Sequence, residues 1–357
     1  MKKITNFEFG TITFFLMRGL FIQICFTSLI NISKQDSYIS VVIGIILGII
    51  PALLFLKLFN YEPTLNIFEK LNKLFGKCIG NIINVILIII ATILTIVSFF
   101  NLISFVYSQY LNKTPSILIS ITFIISIYYS LIKGFRNLLR LSIILFFGTI
   151  ILFVMSSLGL IFQIDISNFK PFFSGNILSG SISFISYSIF PLFMLLLIPK
   201  NNITNPQKSK LTFILFYIIG CLSILIIMIS IIGIFGYKMT LLYEYPEFQI
   251  LNRVSLTGIL TRLESILFLQ WIFTILIFIT FALNFVKKGI IHIIKIKENI
   301  LNIIFPVMLL ISGEFIKIIF INSISVYILR NIILATIGVF ILISSIVLFY
   351  KNKIHRA

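Results

Sequence analysis

Few side chains in this sequence could do chemistry. Its two histidines, His292 and His355, lie near basic runs, and its three cysteines, Cys25, Cys78 and Cys221, are scattered in or beside apolar runs. They provide neither metal-ligand spacing nor a disulfide framework. No nucleophile–base pair can be assembled from them, so no catalytic residue, metal or cofactor is expected. Charge is scarce too, at 11% of 357 residues, where ordinary soluble domains carry about 25%. After the first apolar run there is no small-residue cleavage site, so that run reads as a retained helix.

Apolar residues are abundant, at 59% against roughly 45–50% in soluble domains. They fall in repeated continuous runs of about 20 residues, the length that spans a bilayer as a helix. A transmembrane barrel would show alternation instead. The expected fold is an all-α membrane protein of ten helices, at roughly 10–32, 38–59, 79–107, 115–133, 139–162, 177–199, 211–237, 261–286, 300–320 and 325–350. The net charge of +18 suggests nucleic acid until its placement is examined. Of 28 lysines and arginines, 19 fall on one side of these spans, eight on the other, and Arg18 lies within the first. That asymmetry puts both termini in the cytoplasm and makes the charge a topology signal. Nucleic-acid binding drops out.

The first span, Thr11 to Asn31, holds Arg18 and Gly19 near its middle. An intramembrane charge is expensive, and glycine lets backbone leave helical geometry cheaply. Broken helices in secondary transporters expose backbone polar groups to ligand at the bilayer midplane. Arg18 is also only about two turns from the cytoplasmic end, from where it can snorkel to the headgroups. Ten helices divide into five plus five, and helix 6 opens on Gly175–Ile185, rich in glycine and serine. An inverted repeat, about 10–162 and 177–350 within one permease-like domain, would place discontinuous helices 1 and 6 together. Gly180, Ser181 and Phe184 then contact ligand, or serve helix packing.

Helix 3 carries Ser98, Asn101, Ser104 and Tyr107 at spacing three, a polar face expected to point into the bundle. Helix 8 carries Gln270, Trp271 and Thr274, with the tryptophan too deep for an interfacial anchor. Glu314 and Lys317 read as a local pair, and Pro51, Pro191 and Pro199 as kinks or helix ends. Between helices 2 and 3, Pro63–Gly76 has apolar residues at helical spacing, which predicts a short amphipathic helix on the membrane face. The longest outer segment, Tyr237–Arg262, holds Glu244 and Glu247 around Pro246 and suits a partner contact or a gate.

Tyr245-Pro246, Arg253, Arg262-Leu263-Glu264 and Trp271 stand in an order that resembles the spore germination permeases, B subunits of nutrient germinant receptors in the amino acid–polyamine–organocation superfamily. Ile4–Phe9, the turn Lys34-Gln35-Asp36-Ser37-Tyr38, Gly76-Lys77-Cys78-Ile79-Gly80 and Thr114-Pro115 extend the resemblance over nearly the whole chain. The chain departs from the family at Asn101 and Ser104, where many members carry charge, and at Phe190-Pro191, where some carry an acid. It offers no carboxylate for proton coupling there. The resemblance implies a subunit of the spore inner membrane with a LeuT-like fold. It would bind a small nutrient, typically an amino acid, and signal to receptor A and C subunits. The residues expected at the pocket are Arg18, Gly19, Ser98, Asn101, Gly180, Ser181, Phe184, Trp271 and Thr274. A working secondary transporter of amino acids or similar solutes is the alternative on the same fold.

Overall fold

The first helix, α1 (Asn6–Leu20), starts at a capping box. The Glu8 amide donates to Thr5 Oγ1 at 3.1 Å and the Thr5 amide to Glu8 Oε2 at 2.6 Å, satisfying two orphan donors. Every residue from Glu8 to Leu20 is buried. A helix covered on all sides belongs at the centre of its bundle, and α1 is packed by four others introduced below. In the computed structural model, residues 3–251 and 268–319 are described. Among them secondary structure is helical, and seven helices are long and apolar enough to cross a membrane. The expected tenth span (325–350), Arg253, Arg262-Leu263-Glu264 and the start of the eighth span lie outside the described residues, as do the side chains of Glu314 and Lys317.

The first span does break, but not at Arg18-Gly19. α1 runs on through Gly19, passes into a π-helical turn at Phe21–Cys25, and resumes as α2 (Phe26–Ser33). Lys34, at φ 50°, turns the chain through a short 3₁₀ segment into α3 (Ser37–Leu47). Gly48 separates α3 from α4 (Ile49–Asn60). The cause is Pro51: it cannot donate to the Leu47 carbonyl and its ring crowds it, so it is tolerated only in the first turn of a new helix.

α5 (Ile67–Gln109) is two helices in one. The amphipathic helix expected over 63–76 forms as its first part, capped by Asn66 and Glu69, and Gly76 at φ 78° bends it into the long membrane segment. Ile67, Phe68 and Leu71 are buried, and the buried Lys70 donates from Nζ to the Leu58 carbonyl at 2.9 Å, covering a free acceptor at the end of α4. α6 (Ser116–Lys133) and α7 (Phe135–Ile161) meet at Gly134, φ 84°. Next come α8 (Ile177–Leu195), α9 (Ser209–Thr240), the short α10 (Pro246–Gln249), α11 (Leu269–Ile294) and α12 (Glu298–Ile319). α1 packs on α9, α11, α7 and α8.

Where helix 6 was expected to be discontinuous, α8 runs unbroken through its glycine- and serine-rich start and over Pro191. The small residues let α8 lie close on α2 and α3. A Cβ on Gly180 would stand 2.0 Å from Ser33 Oγ and 2.7 Å from Ser40 Oγ. Ser181 Oγ donates to the Ser40 carbonyl at 3.0 Å. At the end of the bundle away from the N-terminus, the buried Asp36 carboxylate accepts three amides, from Phe173, Ser174 and Gly175, at 3.0, 2.7 and 2.9 Å. It clasps the segment leading into α8 to the α2–α3 corner. Asp36→Ala should lower stability in detergent by about 2 kcal/mol or more, since charge-assisted bonds contribute about 1.5–3 kcal/mol each, measured by thermal unfolding of purified protein.

Candidate functional site

Arg18 is the largest fully buried side chain, 1% exposed. It sits one turn before the π-turn, on the face of α1 that meets α7 and α11. Its guanidinium carbon lies 5.0 Å from the Phe153 ring centre and 5.6 Å from that of Phe14, within cation–π range. Nη2 donates to Gln270 Oε1 at 3.0 Å. Gln270 Nε2 in turn donates to Ser156 Oγ at 3.4 Å, and Ser156 donates to the Phe153 carbonyl at 2.8 Å. This chain fixes the glutamine with its oxygen towards the arginine. Among the described residues, Arg18 Nε and Nη1 have no acceptor, and neither has the indole Nε1 of Trp271.

These groups border a cavity of about 30 Å³, lined also by Ser157, Ser230 and Glu247. A water needs roughly 10–15 Å³ by this measure, so there is room for one or two. Glu247 reaches the cavity because α10 folds back over the bundle. Tyr245 and Phe248 pack edge-on against Phe105 of α5, each at 5.0 Å, and the Phe105 ring lies tilted against Trp271 with centres 4.6 Å apart. Gln249 Nε2 donates to Gln109 Oε1 at 3.0 Å and ties α10 to the end of α5. Glu247 lies outside the membrane-spanning helices but is 8% exposed, and lost hydration pushes its carboxyl up to about 8.

Of the residues expected at the pocket, Arg18 and Trp271 line this cavity. Gly19 faces α11 beside it, and Thr274 lies one turn further along, with its hydroxyl donating to the Gln270 carbonyl at 2.7 Å. Ser98 is buried on α5 with no partner for Oγ, and Asn101 is half-buried; neither lines the cavity. Gly180 and Ser181 face α2 and α3, and Phe184 packs on Phe21, ring centres 4.7 Å apart, and on Gly44. Gln270, Ser156, Ser157, Ser230 and Glu247 were absent from that set. Gln270 was visible as Trp271's polar neighbour and Ser156-Ser157 as a polar pair inside an apolar run, but nothing local marks Glu247 as buried.

Helices of membrane-spanning length around a buried cavity bordered by Arg18 and Glu247 define a polytopic helical membrane protein. The chain matches the spore permease family, described as spore germination protein, over residues 3–317, and belongs to that family. It is 26% identical over 268 residues to the putative spore germination protein YfkT of Bacillus subtilis (strain 168), covering 73% of this chain and 72% of that one. It is 25% identical over 261 residues to spore germination protein YndE of the same strain, covering 71% and 69%. It is also 26% identical over 234 residues to spore germination protein A2, covering 62% and 63%.

Gly19 earns its place by closeness, since a Cβ there would lie 2.7–2.8 Å from the Phe278 side chain. Gly19→Ala should cost about 1–3 kcal/mol through overpacking. Adding Phe278→Leu should restore most of the loss, read as thermal unfolding of the single and double variants.

Proposed function

We propose that this chain is the ligand-sensing membrane subunit of a spore germinant receptor, binding a small nutrient of the amino-acid class at the Arg18 cavity. One observation carries the reading: three buried N–H donor atoms, two on Arg18 and one on Trp271, have no acceptor among the described residues, and both residues line the same cavity. A buried unsatisfied donor costs about 1–3 kcal/mol, and more when charged. A carboxylate supplies two acceptor oxygens and opposite charge to the guanidinium, the strongest match for such a site. At about 30 Å³ the cavity holds water but not an amino acid, so binding requires it to widen. A ligand that favours the wider state shifts the balance between two conformations, and that shift is what partner A and C subunits would receive.

The finer architecture belongs to the same proposal. The helices, together with the span expected over 325–350, would make a ten-helix, five-plus-five inverted repeat. The π-turn at Phe21–Cys25 is the irregularity in its first helix. The lysine-rich side and both termini face the cytoplasm, in the spore inner membrane. Glu247, a protonatable group bordering the cavity, favours a second reading, a proton-coupled secondary transporter of the same ligand class. Uptake by protein in liposomes separates the two readings.

The test is nutrient-triggered germination across a panel of amino acids, in spores lacking this chain and in spores carrying Arg18 variants. Loss of the chain should abolish the response to one or two nutrients selectively. Arg18→Met should abolish that response, and Arg18→Lys should raise the half-maximal concentration tenfold or more, about 1.4 kcal/mol, with membrane abundance unchanged. An unaltered half-maximal concentration in both variants would sink the proposal.

A further inference from the structure

Arg18 and Glu247 border one small cavity from different elements, α1 and α10, and no ion pair joins them among the described residues. A guanidinium and a carboxyl that share a low-dielectric site attract strongly once the carboxyl ionises, so each must be held in place by its own surroundings. Arg18 is held by Gln270 and by the rings of Phe14 and Phe153. Glu247 is held by α10, which is clamped through Tyr245, Phe248 and Gln249 against α5. A cavity with a guanidinium and a carboxyl kept apart is bipolar. A plain carboxylate would satisfy one pole and leave the other buried without a partner.

We infer that Glu247 is the specificity-determining residue of the site, receiving a cationic amino group while Arg18 and Trp271 receive an anionic or acceptor group of the same ligand. The inference rests on the reading of the Arg18 cavity as a ligand site and adds the second contact. It also couples binding to protons. Burial favours the protonated form of Glu247 near neutrality, because it raises the carboxyl to about 8. An ammonium group favours the ionised carboxylate, so binding expels that proton to solvent. Below about pH 8 the ligand competes with a proton, so affinity rises with pH by up to about tenfold per unit across 6–8. Above that range it falls as the ammonium itself deprotonates. Among the described residues, the charged and titratable groups near Glu247 are Arg18 from α1, Cys25 from the π-turn, and Tyr245 and Glu244 on its own segment. Of the described residues, those that α7, α9 and α11 bring to the cavity are neutral.

The experiment uses the full chain in lipid nanodiscs. Each L-amino acid is compared with its des-amino acid (L-alanine with propionate, for example) by thermal stabilisation at pH 6, 7 and 8. Wild type should prefer an amino acid over its des-amino counterpart tenfold or more, increasingly so with pH. Glu247→Gln should bind the two alike, without pH slope, and Arg18→Met should bind neither. Retained preference in Glu247→Gln, or equal weakening of both ligands, overturns the role of Glu247 and leaves the Arg18 site standing. A wild type that binds no amino acid overturns the site reading and this inference together. Should Glu247→Gln not fold, titration of wild type in two buffers of different ionisation enthalpy decides, because binding without proton release refutes the inference.

Discussion

A guanidinium in the middle of a membrane protein has to be surrounded by acceptors or face a place where one can arrive. Among the described residues Arg18 has one acceptor, Gln270, and two aromatic faces. Much of the bundle's interior follows from accommodating it. Gln270 is oriented by Ser156, Ser156 by the α7 backbone, and the indole beside them is braced by Phe105 and the α10 aromatics. Without the charge, this polar chain between α1, α7 and α11 would have no function that apolar packing could not serve better. Its presence in so apolar a chain is the physical case for a ligand.

The two kinds of small residue in the membrane do different work. At Gly180, Ser33 and Ser40 they bring backbones together, so α8 and the α2–α3 corner make one rigid edge with the Asp36 clasp at its end. The π-turn at Phe21–Cys25 instead adds a residue to the helical register just beyond Arg18. Such turns are frequent at functional sites because they re-aim side chains and leave backbone groups imperfectly paired.

Hydropathy carries the all-helical, membrane-spanning character of the described residues, and the amphipathic lead-in to α5 and the break at Pro51 are also written in local sequence. The site is less legible for reasons visible in single residues. Arg18 and Trp271 stand out because depth in an apolar run makes a polar group conspicuous. Gly19 suggested a broken helix, but its missing side chain is used by Phe278, which sequence cannot show. The spacing of Ser98 and Asn101 reports that α5 has a polar face, not which neighbour meets it. Glu247 is the hardest case, since a loop glutamate reads as solvated until an aromatic clamp folds its segment over the bundle.

The bond between Arg18 and Gln270 spans 252 residues of chain, and this has a consequence for how the protein is made. At about 5–20 residues per second of synthesis, the glutamine emerges roughly 10–50 s after the arginine. For that interval the first helix enters the bilayer carrying a charge that insertion measurements place at about 2.5–3.5 kcal/mol when central. Its flanking apolar residues, Ile12, Phe14, Phe15 and Leu16 on one side and Leu20, Phe21 and Ile22 on the other, are abundant enough to insert it regardless. The helix is therefore placed early as a strained guest, and the arrival of α11 gives its arginine a protein partner. A ribosome paused before residue 270 would leave a nascent chain whose first helix is free to slide towards the headgroups.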